Sequence, residues 1–183
     1  IRNTLRFLLA NTADFDAARD LLPPAEWLEI DRYALAMTRE MAQAATDDYG
    51  RFEFHLVAQR LQAFCSEDLG GFYLDILKDR LYTAGRDSKG RRAAQSALHH
   101  ITQALLRLMA PILSFTAEEA WAVLRPAADD SVFFHTWVGV LPEAGGEPPL
   151  LAKWRRLREI RAAVQKQLED LRQAGTIGSS LQA

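Results

Sequence analysis

The chain has 183 residues, of which 49% are hydrophobic, and its formal net charge is -2 at pH 7. This length and composition suffice for one buried core with a short appendage. The sequence contains no apolar run of roughly 18 to 20 residues, no signal-peptide pattern and a single cysteine, which excludes a membrane span, an internal disulfide and a multi-cysteine zinc site.

The first half of the chain predicts helices. A short helix covers 1–11, and a longer one runs from Pro24, a favourable first-turn residue, to about Thr46, with 47–50 as the turn after it. Apolar residues from Phe52 onward recur at helical spacing and indicate a third helix.

The stretch 68–82 predicts an amphipathic helix. Glycines 70 and 71 indicate a kink or a restart before it, with Ser66 as the cap. Asp75, Lys78 and Asp79 share its polar face, where ordinary surface pairing accounts for them. Arg80 projects from the apolar arc instead, so it must either pair with a carboxylate or emerge at the helix end. We predict a structural ion pair in preference to an RNA contact.

The second half predicts two more helices and a long one at the end. Apolar residues over 94–108 form a stripe that Pro111 terminates, and 116–119 has the spacing of a capping box that starts a short helix. The stretch 127–149 is predicted as an irregular strap. A final helix over 150–173 carries an apolar seam at steps of three and four residues.

We therefore predict an all-α fold, with Leu77 and Leu105 in its core. Three parts follow from the pattern: a helical bundle over 1–126, an irregular connecting strap over 127–149, and a C-terminal helix with the start of a truncated junction over 150–183. Because the chain opens without methionine, we expect it to be an excised part of a longer cytoplasmic protein.

The charge is unevenly distributed along the chain. Residues 1–11 carry two arginines and no acid, 78–92 carry six basic residues against two acidic ones, and 153–172 carry seven against three. The rest of the chain is correspondingly acidic. Such segregation is typical of a protein that contacts a phosphate backbone on one side, although solvated helix faces would give the same pattern.

The sequence offers no catalytic constellation. It lacks a glycine-rich phosphate loop after a strand, a cluster of metal ligands and a nucleophile in a recognisable setting. His99 and His100 would point about 100° apart on a helix and share no coordination sphere. Cys65, beside Phe64, is expected to be a small buried hydrophobe. We therefore predict no catalytic residue and no metal site in this chain.

Five stretches resemble the isoleucyl-tRNA synthetases in the same order along the chain: 2–11, 68–82, 108–121, 131–137 and 177–181. The third of them, which contains Pro-Ile-Leu-Ser-Phe-Thr, is similar to a motif shared with the valyl and leucyl enzymes. The run Tyr-Leu-Asp-Ile-Leu-Lys-Asp-Arg-Leu-Tyr at 73–82 favours the isoleucyl family.

The resemblance implies a helical bundle of the class I synthetase anticodon-binding type. Such a bundle would bind the anticodon arm of an isoleucine-accepting tRNA and place its acceptor end at the catalytic domain of the same chain. The full-length enzyme would use ATP and Mg²⁺, with zinc in a terminal module absent from this sequence. Two alternatives stay open: the equivalent domain of a valyl or leucyl enzyme, and a helical protein-interaction module without RNA binding.

The nucleic-acid contacts are predicted among exposed basic side chains. Arg2 and Arg6 lie four residues apart on one helix face, where like charges repel unless an anion lies between them. A phosphate would supply that anion. The predicted RNA-contacting residues are Arg2, Asn3, Arg6, Lys78, Arg91 and Arg92.

Overall fold

The computed structural model of the chain describes residues 1–126, 129–137, 139, 141–143 and 145–178. Within these residues the fold is all-α and contains no strand, as predicted. The helices are α1 (Arg2–Asn11), α2 (Ala17–Asp20), α3 (Glu29–Gly50), α4 (Phe54–Ala63), α5 (Leu74–Thr83), α6 (Lys89–Met109), α7 (Ser114–Leu124) and α8 (Glu147–Gln173). Short 3-10 turns occupy Pro24–Glu26 and Val132–Phe134.

The core forms around α6, which packs against α1, α3, α5 and α7. Apolar residues at helical spacing give α6 a continuous inner face that excludes water. Leu77 and Leu105 are buried, which confirms their predicted place in the core. Other fully buried side chains include Leu8, Tyr33, Leu35, Leu61, Leu98 and Ile101.

The bounds of α3 differ from the prediction. The helix begins at Glu29, after the 3-10 turn, and continues through Gly50, so the predicted turn at 47–50 is wrong. The chain leaves the helix only at Phe52, whose φ of 60° lies in the left-handed region. The N–H groups of Phe52 and Glu53 close this end on the carbonyls of Tyr49 and Asp48, at 3.0 and 2.9 Å.

The segment between α4 and α5 stays helical. Phe64–Tyr73 widens into a π-helix, so the predicted restart at the glycines is wrong. The Ser66 hydroxyl does not cap a helix but donates back to the carbonyl of Gln62 at 2.9 Å. Gly70 lies at a close approach, because a Cβ there would lie 3.1 Å from the carbonyl oxygen of Cys65 and one of the two would have to shift by a few tenths of an ångström.

Helix α7 begins two residues before the predicted capping box. Its first residue is Ser114, so Thr116 already lies inside the helix and cannot act as the N-cap. The Glu118 carboxylate instead accepts hydrogen bonds from the Ser131 hydroxyl and the backbone N–H of Val132, both at 3.0 Å. The capping-box prediction is therefore wrong, and Glu118 anchors the following segment.

The described part of the predicted strap up to residue 146, which is 129–137, 139, 141–143 and 145–146, is irregular apart from one 3-10 turn. Residues 147–149 belong to the following helix instead. Its indole at Trp137 stacks on Tyr49 with ring centroids 4.6 Å apart, and Trp137 Nε1 donates to the carbonyl of Arg107 at 2.9 Å. The strap is thus held on α3 and α6 by specific contacts, although it has little regular structure.

The chain divides into two compact units, Ile1–Gly145 and a second that begins at Gly146. The second unit contains α8, which starts three residues before the predicted position because Pro148 and Pro149 occupy its first turn. Its seam residues Leu157, Ile160, Val164 and Leu171 are 42 to 49% exposed. None of the helices that the structure describes combines the length and apolar character needed to cross a membrane.

Candidate nucleic-acid interface

Helix α1 presents two arginines to solvent. Thr4, Leu5 and Leu8 are buried on its inner side, which leaves Arg2, Asn3 and Arg6 exposed on the outer side. Arg2 Nη2 lies 3.8 Å from a Glu119 carboxylate oxygen, and more than 70% of each of these two side chains is exposed. Such an exposed ion pair contributes little to the stability of the fold.

Arg6 has no carboxylate partner within the part of the chain that the structure describes. The exposed side of α1 is therefore a cationic surface, which we call the α1 arginine face.

Lys78 is exposed on α5 and pairs with Asp75, with 2.9 Å between Nζ and Oδ1. This confirms the predicted surface pairing of those two residues. The pair is solvated and i, i+3, so it leaves the ammonium group accessible to a second anion. The role of Lys78 in binding RNA stays a prediction.

Arg91 and Arg92 lie inside the fold. Arg91 donates from Nη1 and Nη2 to the two carboxylate oxygens of Asp14, at 2.7 and 3.1 Å. Arg92 is only 7% exposed and donates to Gln95 Oε1 at 2.9 Å and to Asp87 Oδ1 at 3.0 Å. These bonds join the start of α6 to the segment after α1. Burial and internal partners disfavour the predicted contact of either arginine with RNA.

The pKa of the Asp14 carboxyl shows the effect of the neighbouring arginines. The Arg91 guanidinium, helped by the Gln95 amide, holds the pKa of the Asp14 carboxyl at about 2, although partial burial acts the other way. The carboxylate is therefore ionised throughout the physiological range. Charged hydrogen bonds in this cluster therefore hold the start of α6 against the segment after α1.

A third largely buried arginine, Arg80, behaves as predicted. Arg80 is 17% exposed and donates from Nη1 to Asp31 Oδ2 at 2.9 Å, while its Nη2 donates to the other oxygen. The Tyr73 hydroxyl also donates to Asp31, at 2.8 Å, and burial keeps the pKa of this hydroxyl well above its ordinary value. Arg80 is thus a structural ion-pair residue. Its partner Asp31 lies 49 residues away, and no local pattern identifies it.

His99 and His100 are half-buried on α6, and Cys65 is buried. Burial, and then the neighbouring His100, lower the pKa of His99 to about 4, so its imidazole is neutral at physiological pH. Cys65 is buried, as predicted. Among the described residues, no group of three histidine, cysteine or acidic side chains could hold a metal ion.

A cavity of about 640 Å³ lies between α3, α6 and the strap. Its polar lining includes Arg39, Gln43, Arg107 and His135, and Trp137 forms part of its wall. No acidic residue occurs among the described residues that line it. Sequence reasoning missed this site, because its residues come from three separate elements and share no spacing pattern.

Residues 31–183 match the family model described as the anticodon-binding domain of tRNA ligase. The match covers more than half of the chain, so the chain belongs to this family. The all-α bundle is consistent with that assignment.

Comparisons with individual relatives narrow the assignment within this family. The chain is 64% identical over 183 residues to the isoleucine–tRNA ligases of Azoarcus sp. (strain BH72) and of Thiobacillus denitrificans, and 58% identical over 185 residues to that of Cupriavidus necator. All of this chain is covered in each comparison. It spans 19 to 20% of the length of these relatives. The resemblance to isoleucyl-tRNA synthetases is confirmed.

Proposed function

We propose that this chain is the part of an isoleucine–tRNA ligase that binds the anticodon arm of the isoleucine-accepting tRNA. The observation that carries the proposal is the 64% identity over the whole chain to ligases of that name. It favours the isoleucyl over the valyl or leucyl reading. The family match to anticodon-binding domains disfavours a protein-interaction module without RNA binding.

The segment contributes binding energy and placement. By holding the anticodon arm, it would position the distant acceptor end for ATP-dependent attachment of isoleucine in the catalytic domain of the longer cytoplasmic protein. We propose that ATP and Mg²⁺ act in that domain and that zinc belongs to a terminal module. The described residues of this chain do not fit a zinc site, so no step here runs through a metal.

The α1 arginine face is the proposed backbone contact. Arg2 and Arg6 share an exposed surface at the start of a helix whose first turn has no acidic residue. Two cations at this spacing, near the positive end of the helix dipole, attract an anion. The phosphates of an RNA stem supply anions at a regular spacing, and each contact releases counterions.

Binding to an anticodon stem-loop tests the proposal. We expect weak, salt-sensitive binding by fluorescence anisotropy, with higher affinity for the stem-loop bearing the isoleucine anticodon than for the same stem bearing a valine anticodon. Equal affinities for the two stem-loops would show that the chain does not distinguish the isoleucine anticodon from the valine anticodon. Failure to bind either RNA, even when the chain is joined to its catalytic half, would favour the protein-interaction module.

A further inference from the structure

The end of α3 presents an aromatic side chain at a position that favours glycine. Phe52 takes the left-handed conformation that closes the helix, with φ of 60°, and its side chain is 78% exposed. Glycine adopts this conformation at lower cost, because a Cβ clashes with the neighbouring backbone there. An exposed phenyl ring contributes little to the core, so neither backbone nor packing explains Phe52.

Phe52 begins a row of aromatic side chains. Its ring lies 6.0 Å from that of Phe54, which lies 6.1 Å from Tyr49, and Tyr49 stacks on Trp137 at 4.6 Å. We call these four residues the aromatic row. It starts at an exposed corner between α3 and α4 and ends at Trp137, in the wall of the cavity. The row therefore connects solvent to the cavity through successive ring contacts.

The cavity itself is suited to a ligand with acceptor atoms. Arg107 donates to Gln103 Oε1 at 2.9 Å and to the carbonyl of Thr136 at 3.4 Å, both neutral acceptors, and its Nε is buried without a partner. Burial, and then the nearby Arg125, lower the pKa of Arg107. A phosphate or a base edge rich in acceptors would offset that cost. An apolar side chain of a protein partner would not.

We propose that this corner holds the unpaired nucleotides of an RNA loop. One base stacks on the exposed pair Phe52 and Phe54, and the neighbouring nucleotide enters the cavity, where it lies against Trp137 and faces Arg107. This inference rests on the proposed function and adds the residues that hold the loop. Aromatic stacking and hydrogen bonds to splayed bases are the usual means by which proteins bind single-stranded RNA. The cavity volume is in the range of small-ligand sites.

The strain at Phe52 allows folding and binding to be separated. Phe52→Gly relieves the left-handed conformation, so we expect the melting temperature to rise by roughly 2 to 4 °C. The same change removes a stacking surface, so we expect affinity for the isoleucine anticodon stem-loop to fall by roughly 5- to 10-fold. A variant that is more stable but binds less cannot owe its weaker binding to misfolding.

The matched control is Phe52→Leu, which keeps an apolar side chain and the strained backbone but has no ring. We expect it to bind as weakly as Phe52→Gly, with a melting temperature near that of the wild type. Stacking releases few counterions, so neither change should alter the dependence of affinity on salt. With 2-aminopurine in the loop, the wild type should change the fluorescence of the probe, and both variants should reduce that change.

A probe for the cavity and an RNA control complete the design. Arg107→Gln should lower affinity and reduce the salt slope by about 0.7, the value for one single-strand phosphate contact. A fully paired RNA duplex of the same stem should bind the wild type and the Phe52 variants equally.

The outcomes separate this inference from the proposed function. If the wild type binds the stem-loop and the Phe52 variants bind equally well, the aromatic row is not the contact and the proposed function stands. If Phe52→Leu keeps the wild-type affinity for the stem-loop and Phe52→Gly loses it, the contact is apolar and needs no ring, and base stacking on Phe52 is overturned. If the Phe52 variants bind the paired duplex more weakly than the wild type does, the inference is also overturned. A wild type that binds no RNA overturns both.

Discussion

Two pairs of arginines in this molecule have opposite surroundings. Arg2 and Arg6 stand on the exposed side of α1, where the only carboxylate contact among the described residues is a solvated one at 3.8 Å. Arg91 and Arg92, at the start of α6, are largely buried and bonded to Asp14, Asp87 and neighbouring polar groups. Both pairs belong to basic stretches of the sequence.

The two pairs differ in the groups that interact with their guanidinium charges. A guanidinium group that leaves water needs an internal acceptor, and α6 obtains carboxylates from segments far away in sequence. An exposed guanidinium keeps its hydration and remains available to an anion from outside. A basic stretch therefore indicates a binding surface only where the fold does not supply the carboxylates.

The largest expected effect comes from removing a buried arginine. Arg92→Met removes the donor to Gln95 Oε1 and to the Asp14 backbone carbonyl, and it removes the buried cation that lies 3.4 Å from the Asp20 carboxylate. We therefore expect the free energy of unfolding to fall by about 3 to 5 kcal/mol. Urea denaturation measures this loss. The matched control is Arg6→Met, which should change the free energy of unfolding by less than about 0.5 kcal/mol. Similar losses in both variants would remove the distinction between the two pairs.

Arg80→Met extends the comparison to a third largely buried arginine. Among the side chains that the structure describes, the change leaves the fully buried Asp31 with the Tyr73 hydroxyl as its only donor, so we expect a loss of about 2 to 4 kcal/mol in the free energy of unfolding. RNA affinity of the folded variant should remain near that of the wild type. Unchanged stability with reduced RNA affinity would instead place Arg80 in the interface.

A smaller effect is expected from acid. The pKa of Asp14 is lowered from 3.8 to about 2 in the folded chain, so its ionised form stabilises the fold above pH 3.8. That contribution is lost as pH falls through about 2, because the folded and unfolded carboxyl groups are then both protonated. Partial exposure screens the interaction, so we expect a loss of about 1 to 2 kcal/mol.

Asp14→Asn is the control for the acid experiment. The difference in free energy of unfolding between wild type and variant should be constant from pH 7 to about 5 and should narrow between about pH 4 and 2. Comparing the two proteins removes the contribution of other titrating carboxylates. If the two pH curves run parallel, the ionised Asp14 carboxylate does not stabilise the fold.

Local patterns predicted the helices and the core, but not the way in which α3 and α7 begin and end. Apolar spacing placed Leu77 and Leu105 inside, because burial of one helix face is a property of the local sequence. The turn predicted at 47–50 was wrong because tertiary bonds to α4, such as Arg60 to Asp48 at 2.8 Å, favour a longer α3. Thr116 has the right spacing for a cap, but α7 had already begun.

The candidate site was less accessible to sequence reasoning. The exposure of Arg2 and Arg6 followed from the apolar residues opposite them on α1. The burial of Arg91 and Arg92 depends on Asp14, which lies more than 75 residues away in sequence. The cavity depends on the strap, whose path is set by single contacts of Trp137 and Glu118 rather than by a repeating pattern.

The smallest effect on stability, and the sharpest on function, is expected from the exposed pair. Arg2→Ala/Arg6→Ala should leave the free energy of unfolding within about 0.5 kcal/mol of the wild type, because neither side chain is buried. Each phosphate contact removed should lower the slope of log affinity against log salt by about 0.7 to 0.9, and affinity near 0.1 M salt should fall by roughly 10-fold or more. A salt titration with the isoleucine anticodon stem-loop measures both. Arg91→Ala in the same titration should keep the wild-type slope once its lower stability is allowed for, because its guanidinium already bonds Asp14. If the α1 variant kept the full slope and the Arg91 variant lost it, the RNA would lie against α6 and the assignment of the two pairs would have to be reversed.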